Sequence, residues 1–485
     1  MENTGLTLSV MIAYLALLMA WGLYQGRKVR TESDYSIAGR NLPGWVAALS
    51  ERATGESSWA LLGLPGAAYA CGLIETWTAI GCVAGIVTAW AAIAWRLRDE
   101  ATKYQVTTFS GYIAKRHGDM EKWIRIAGSF TIVFFFFFYV GAQFLGGGKM
   151  LLSIFGIDPR LGMLITAAII VPYTIYGGFR SVVYTDVVQA IVMITALVVG
   201  PIAGIVYIMK TPGLFASSIP AALRAAGPSC CSFTGALSGF AAGAGIMGGI
   251  SWFFGYLGGQ PQLSMRFMAI KNPVEARRGR NIGIAWTLLA YLGALAIGWI
   301  GIAIFGPNGL EDAEVVMPAV MFRIFPDVVA AVLVTGAIAA MISTADSLLV
   351  LSSTELSENL IGQFGGGARR ANALRRSRIT TAALAAIALA LAYVFPSGVI
   401  YTIVGFVWAG IGGTFSVVIL LTLFWKRYHG RAVLCTIVGG LLFTIVWQSA
   451  GLESVLSARV TNFVFSMCVA VVSTLALPRA PRIIP

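Results

Sequence analysis

Charge is what this 485-residue sequence has least of. Asp, Glu, Lys and Arg make up 11% of it, where a soluble domain carries about 25%. A chain so poor in charge cannot cover a water-facing surface, so most of its solvent is lipid. Histidine is nearly missing, with His117 and His429 far apart in the chain and placed in loops between apolar runs. The six cysteines show no zinc spacing: Cys71, Cys82, Cys435 and Cys468 lie in or beside apolar runs as packing residues, and the vicinal Cys230 and Cys231 make a poor disulfide. No nucleophile constellation is present, which argues against an enzyme. The net charge of +13 does not point to nucleic acid, because no basic module with interleaved aromatics accompanies it. The first residues hold Glu2 and no Lys or Arg, so a cleavable signal is not expected.

What is present is hydrophobic length. Hydrophobic residues account for 58% of the chain. Spans of about 20 apolar residues suffice to cross a bilayer. They fall near 6–25, 45–71, 74–95, 124–150, 158–177, 183–209, 235–258, 281–305, 328–353, 379–395, 398–424, 432–450 and 456–477. Long runs without strict alternation predict helices rather than a membrane barrel. The basic residues gather in alternate loops: Arg27, Lys28 and Arg30; Arg96, Arg98, Lys103, Lys115 and Arg116; Arg277, Arg278 and Arg280; Arg369, Arg370, Arg375, Arg376 and Arg378. The positive-inside rule then places the N-terminus outside and the C-terminus, with Arg479 and Arg482, inside an inner membrane. Gly362–Ala368 is glycine-rich but too short to be a domain linker, and the phenylalanines 134–138 read as a lipid-facing or packing surface.

A few polar residues sit where they are costly, since an ionisable group deep in a span costs about 2.5–3.5 kcal/mol on insertion scales. Between Ala48 and Trp59 stand Glu51, Arg52 and Glu56, with three serines, Thr54 and Gly55. An unwound stretch lining a cavity accommodates such a segment; so does a helix in which Arg52 and Glu56 pair at i,i+4. The segment Gly336–Ser347 puts Ala340, Ser343, Thr344 and Ser347 on one helical face beside Asp346. Hydroxyls and a carboxylate form a hard, oxygen-rich set suited to an alkali cation. Single hydroxyls of this kind also bond back to their own helix, which leaves Asp346 unaccounted for. Asp186, read alone, is an interfacial cap or a partner for Arg180.

Taken together, Asp34–Arg40, Gly63-Leu-Pro-Gly66, Gly177-Gly-Phe with Thr185-Asp-Val-Val-Gln189, Gly259-Gln-Pro-Gln with Arg266-Phe-Met268, and Ser343-Thr-Ala-Asp-Ser347 resemble the sodium/solute symporter family. The likeness is strongest to its sodium/proline symporter branch and runs over nearly the whole chain. It implies an all-α membrane protein of about 13 helices with a 5+5 inverted-repeat, LeuT-like core. One helix leads (1–44), two five-helix repeats follow (45–210 and 235–424), and two helices trail (425–485).

The resemblance also implies sites. Its main sodium site maps to the carbonyls of Ala53, Glu56 and Ala340 with the hydroxyls of Ser343 and Thr344. A second sodium, found in some members, maps to Asp186, Ser343, Asp346 and Ser347. Substrate contact and gating positions map to Ser57, Ser58, Trp59, Tyr139, Trp252, Tyr256 and Pro261, with Glu56 beside them. Two departures stand out. Proline transporters carry an acid where this chain has Gly55, and an apolar residue where it has Glu56. Gly258-Gly259 is also one residue longer between Tyr256 and Pro261. Arg52 is unusual and is a candidate partner for a substrate carboxylate. The expectation is sodium-coupled symport of a small solute, proline or a related amino acid, across a lipid bilayer. The rivals are a proton-coupled or sodium-independent transporter of the same fold for a small carboxylate or amino acid, with Glu56 or Asp346 as proton carrier, and a nutrient sensor signalling through another protein.

Overall fold

The computed structural model describes residues 4–361, 373–394 and 400–479. Gly362–Ala368, Arg369, Arg370, Arg482 and the junction between the spans predicted at 379–395 and 398–424 lie outside the described residues. Among the described residues the chain is helical, with one isolated parallel bridge pairing Leu42 with Ile270. Eleven stretches are long and apolar enough to cross a membrane. Two of these are too long for one crossing: Gly44–Tyr104 has 61 residues and Pro159–Lys210 has 52, against the 20 or so that a bilayer needs. The first turns at Gly72 (φ 74°) and the second is broken at Gly178 (φ 53°). Counting each as two crossings gives thirteen, the number expected.

In chain order, α1 (Thr4–Gly26) leads and the short α2 (Glu32–Ile37) follows. Thr31 and Asp34 cap α2 reciprocally. This is why Asp34, held by Thr31 and by two backbone amides, has a carboxyl below its usual range despite partial burial. Next come α3 (Gly44–Ser58), α4 (Leu64–Cys71), α5 (Thr76–Thr88), α6 (Ala94–Tyr104), α7 (Phe109–Arg116), α8 (Glu121–Phe155) and α9 (Pro159–Lys210). The second half holds α10 (Ile219–Ala225), α11 (Gly239–Ile250), α12 (Trp252–Tyr256), α13 (Pro261–Met268), α14 (Pro273–Phe305), α15 (Val316–Ile324), α16 (Asp327–Thr354), α17 (Ala373–Val394), α18 (Ile400–Val407) and α19 (Gly413–Phe424). The pair α20 (Gly430–Ser449) and α21 (Ala458–Ala476) trails and packs together.

The first helix of each half is interrupted. Ser57 breaks α3 at φ 43°, ψ −165°, a conformation that a non-glycine residue adopts only when its surroundings hold it there. A π-helical turn, Trp59–Gly63, follows and leads into α4. In the second half the chain stops at Leu257–Gln260 and resumes as α13. The span expected to end near 258 therefore continues to Met268, and Pro261–Met268 is buried rather than part of a loop. Packed between these interruptions is α16, unbroken and buried along most of its length against α3, α8 and α9. His117 and His429 lie in the connections after α7 and before α20, as expected, and both are buried there; the His117 imidazole meets the Thr422 hydroxyl at 2.9 Å.

Candidate functional site

Helix α3 carries polar groups on two opposite faces. At 3.6 residues per turn, positions two apart are rotated by about 200°, so Ser50 and Thr54 face one way and Arg52 and Glu56 the other. Glu51, Arg52, Glu56 and Thr54 are all buried. On one side the Arg52 guanidinium lies between two carboxylates. Its Nε donates to Glu51 Oε2 (2.6 Å), its Nη2 donates to Glu51 Oε1, and its Nη1 donates to Glu56 Oε1 (2.9 Å) and Thr287 Oγ1 (3.3 Å). The Trp90 indole donates to Glu51 Oε2 at 3.0 Å. Arg52 is thus consumed by its own helix and is not free to meet a substrate carboxylate.

On the other side the Arg266 guanidinium, from α13, gathers residues of three further helices. It donates to Ser50 Oγ (3.0 Å), Thr54 Oγ1 (2.9 Å), Asp186 Oδ2 (3.0 Å) and Ser347 Oγ (2.5 Å). Ser50 Oγ donates to Asp186 at 2.5 Å. Asp186 is therefore paired with Arg266 rather than with Arg180. The helices α3 and α16 meet directly here: Thr344 Oγ1 donates to the Thr54 carbonyl at 3.0 Å, and Thr54 Oγ1 lies 3.4 Å from Ser343 Oγ and 3.0 Å from Ser347 Oγ. Asp346 accepts from Tyr173 at 2.6 Å, with the Ser347 hydroxyl 3.4 Å from its other oxygen.

At the break, aromatic rings close over the polar segment. Trp59 and Trp252 are stacked with centroids 4.5 Å apart and planes 5° apart. Trp408 packs against Trp252 (5.5 Å) and Tyr256 (4.4 Å). Tyr256 and Tyr291 share a hydrogen bond of 2.9 Å, and Tyr139 donates to Ser57 at 3.2 Å. At this break, Ser58 Oγ and Gln143 Nε2 have no hydrogen-bond partner among the described residues, and Glu56 Oε2 and Trp252 Nε1 have only loosely placed hydroxyls, of Tyr291 and Tyr401, near them. Buried polar atoms are seldom left so.

A model of the sodium:solute symporter family matches residues 35–440. The chain belongs to the sodium:solute symporter family. As a symporter of this family it couples solute movement to sodium. It is 34% identical over 450 residues to the high-affinity proline transporter of Bacillus subtilis, covering 92% of this chain and 93% of that one. It is 32% identical to the sodium/proline symporter of Staphylococcus aureus, covering 90% and 85%. Its fold is that of a Na+-coupled sialic acid symporter solved in a substrate-bound outward-open state, with a TM-score of 0.81 and 18% identity over 99% of each chain.

Of the positions implied for the symporter's sites, Ser57, Ser58, Trp59, Tyr139, Trp252 and Tyr256 gather around the break in α3, while Pro261 begins α13 beyond the second break. Ser343 and Thr344 reach α3, but Thr344 meets the carbonyl of Thr54, one residue after Ala53, and Ser343 meets the Thr54 hydroxyl. Ala340 sits within unbroken α16. The unwinding of α3 is confined to Ser57 and the turn after it, so the Arg52–Glu56 pair forms on intact helix. The residues implied for a second sodium are assembled, except that a guanidinium already lies against Asp186 and Ser347. Ser50, Thr54, Tyr173 and Gln143 were not anticipated. Ser50 and Thr54 do carry a signal, a pair of hydroxyls at i,i+4 in the same segment as the charges.

Proposed function

We propose that this symporter carries proline or a closely related amino acid together with one sodium ion. The observation that carries the solute assignment is the set of unpaired or loosely paired polar atoms around the break. Glu56 Oε2 offers a negative acceptor, and Gln143 Nε2, Ser58 Oγ and Trp252 Nε1 offer donors. An amino acid supplies the complement, a cationic nitrogen for Glu56 and a carboxylate for the donors. The stacked Trp59 and Trp252 rings supply the apolar cover. Both relatives quoted above bear names that refer to proline. Where the resemblance implies an acid in proline transporters, Gly55 leaves only a narrow space: a Cβ there would lie 3.3 Å from Leu263 and 3.4 Å from Arg52 Nη2. Glu56, one residue on, takes over the lost charge.

The sodium ion belongs between α3 and α16, on the carbonyls of Ala53 and Glu56, the Ala340 carbonyl and the hydroxyls of Ser343 and Thr344. All are hard oxygens. One ion is assigned rather than two because the Arg266 guanidinium, a fixed cation, already neutralises Asp186. Sodium bound at this seam ties α16 to the residues just before the Ser57 break and so orders the solute contacts beside it. Solute and sodium then raise each other's affinity, as linkage requires. A membrane potential of 100 mV adds about 2.3 kcal/mol for the sodium charge. The gathering of Lys and Arg in alternate loops supports an N-terminus outside and a C-terminus in the cytoplasm.

Uptake of radiolabelled proline into proteoliposomes, with an inward sodium gradient and then with potassium replacing sodium at fixed pH, tests this reading. Accumulation only with sodium, competed by unlabelled amino acids, supports it. Accumulation driven by a pH gradient and indifferent to sodium would move the coupling to a proton on Glu56.

A further inference from the structure

The three arginines near the start of α14 are of two kinds. Arg278 points to water and pairs with Glu275 at 2.8 Å. Arg277 and Arg280, three residues apart, are neighbours on another part of the helix surface. Neither makes an ion pair among the described residues. Arg280 Nε donates only to Asn281 Oδ1, at 3.2 Å. Like charges one turn apart repel, and both of these line one cavity of about 250 Å³ between α14 and the start of α6. Trp90, in the π-helical turn before α6, is its buried wall, and Trp95 is its exposed one.

This cavity is short of negative charge. Arg96 adds a further cation beside it, with its Cζ 4.1 Å over the Trp95 ring. The acids nearby are committed elsewhere. Glu275 accepts from the Gly44 amide (2.7 Å) and from Arg278 (2.8 Å). Asp99 and Glu100 pair with Arg98 and Arg116. The volume lies below the roughly 300–1,000 Å³ usual for whole small molecules, so it suits a headgroup. The surface continues it as a lipid would: helical steps of four, four, three and four residues lead from Arg277 through Asn281 and Ala285 to the exposed Leu288 and Leu292. An exposed Trp95, where an apolar stretch gives way to basic residues, marks headgroup level.

We propose that this groove binds an anionic phospholipid, with its phosphate on Arg277 and Arg280 beside Trp95 and an acyl chain along Leu288 and Leu292, and that the bound lipid steadies the start of α3. The contacts for the second part are close. The Trp90 indole donates to Glu51 of α3 at 3.0 Å. Gly279 and Gly283 let α14 lie against that ring: a Cβ would come within 3.1 Å and 2.8 Å of it. A lipid that pins α14 to α6 therefore holds Trp90 on the Arg52 cluster. Neither the site nor the lipid class rests on the solute assignment.

The intact chain, stripped of lipid in an uncharged maltoside, is titrated with dioleoyl-phosphatidylglycerol or dioleoyl-phosphatidylcholine while its thermal unfolding is followed, since a ligand of the folded state raises the midpoint. The wild type should need about tenfold less of the anionic lipid for the same rise. Arg277→Gln with Arg280→Gln should answer the two lipids alike, within about threefold. Arg278→Gln, which removes a charge outside the groove, should keep the preference, as should Arg277→Lys with Arg280→Lys, which keeps both charges. The lipid-free midpoint of each variant shows that it is folded. Glycerol 3-phosphate, a headgroup without chains, should give no rise. Hydrogen exchange at the start of α3 should slow with the anionic lipid in the wild type and not in the double Gln variant. No preference in the wild type, or one that survives the double Gln variant, would overturn the site. A rise with glycerol 3-phosphate equal to that with lipid would make it a site for free anions instead. Unchanged exchange in α3 with lipid bound would overturn the coupling.

Discussion

The two faces of α3 solve one problem in two ways. Each buries a guanidinium against carboxylate and hydroxyl partners in a membrane interior. On one face the partners are neighbours in the chain, Glu51, Arg52 and Glu56, with Thr287 and Trp90 closing the set. On the other, Arg266 draws Ser50, Thr54, Asp186 and Ser347 from three separate helices. The first assembly survives any rearrangement that moves α3 as a body. The second exists only while α3, α9, α13 and α16 hold their present positions. The comparison teaches that a local ion cluster fixes a charge in place, whereas a distributed one reports, and resists, the relative movement of helices. That movement is what alternating access requires.

The largest break in the comparison comes from Arg52→Met. It leaves Glu51 and Glu56 buried without a cation, and removing one partner from a buried ion pair costs about 3–5 kcal/mol. The purified variant should lose most of its thermal stability, and Glu51→Gln with Glu56→Gln in the same background should restore it. Arg266→Met should fall near the low end of that range, since it strands the single carboxylate of Asp186. Adding Asp186→Asn should recover stability but not transport, because the helices are no longer held in register; recovery of both would mean that the distributed assembly is only structural. Glu56→Gln is milder, about 1–3 kcal/mol, because Arg52 keeps Glu51. Its proline KM should rise far more than its unfolding temperature falls.

The smallest effect serves as a baseline outside both assemblies. Burial, helped by Arg116 and His429, holds His117 down to about 3. The unfolded chain takes up a proton near pH 6.5 that the folded one refuses until far lower. Stability from this group is whole above pH 6.5 and is lost as the pH falls, by about 1 kcal/mol at pH 6. His117→Gln should flatten that slope in an unfolding series from pH 8 to pH 5. Any pH dependence left in the variant belongs to other groups, the two α3 assemblies among them.

How much of this was legible follows the same division. Thirteen crossings, the unusual polarity of 48–59 and the Arg52–Glu56 spacing are short-range properties, readable from apolar run length and helical period. The resemblance pointed to Ser343, Thr344 and the aromatic residues that pack at the break in α3. The pairing of Asp186 with Arg266 was out of reach, because 80 residues separate them and only the packing of α9 on α13 through α3 brings them together. Taken alone, Asp186 suggested Arg180, its nearest base in sequence. The continuation of the seventh span through Pro261–Met268 was missed for a related reason. That segment is polar by composition, with Gln262, Ser264 and Arg266, yet each of these side chains is buried, and Ser264 and Arg266 spend their polarity on bonds inside the protein.

The central claim is that sodium binds at the seam between α3 and α16 and drives the solute. The most direct measurement is initial proline uptake in proteoliposomes as a function of sodium concentration, for the wild type and Thr344→Ala. The account predicts that the variant needs about tenfold more sodium, equivalent to about 1.4 kcal/mol, while its proline KM at saturating sodium and its choice among competing solutes stay near those of the wild type. Superimposed sodium curves would contradict it.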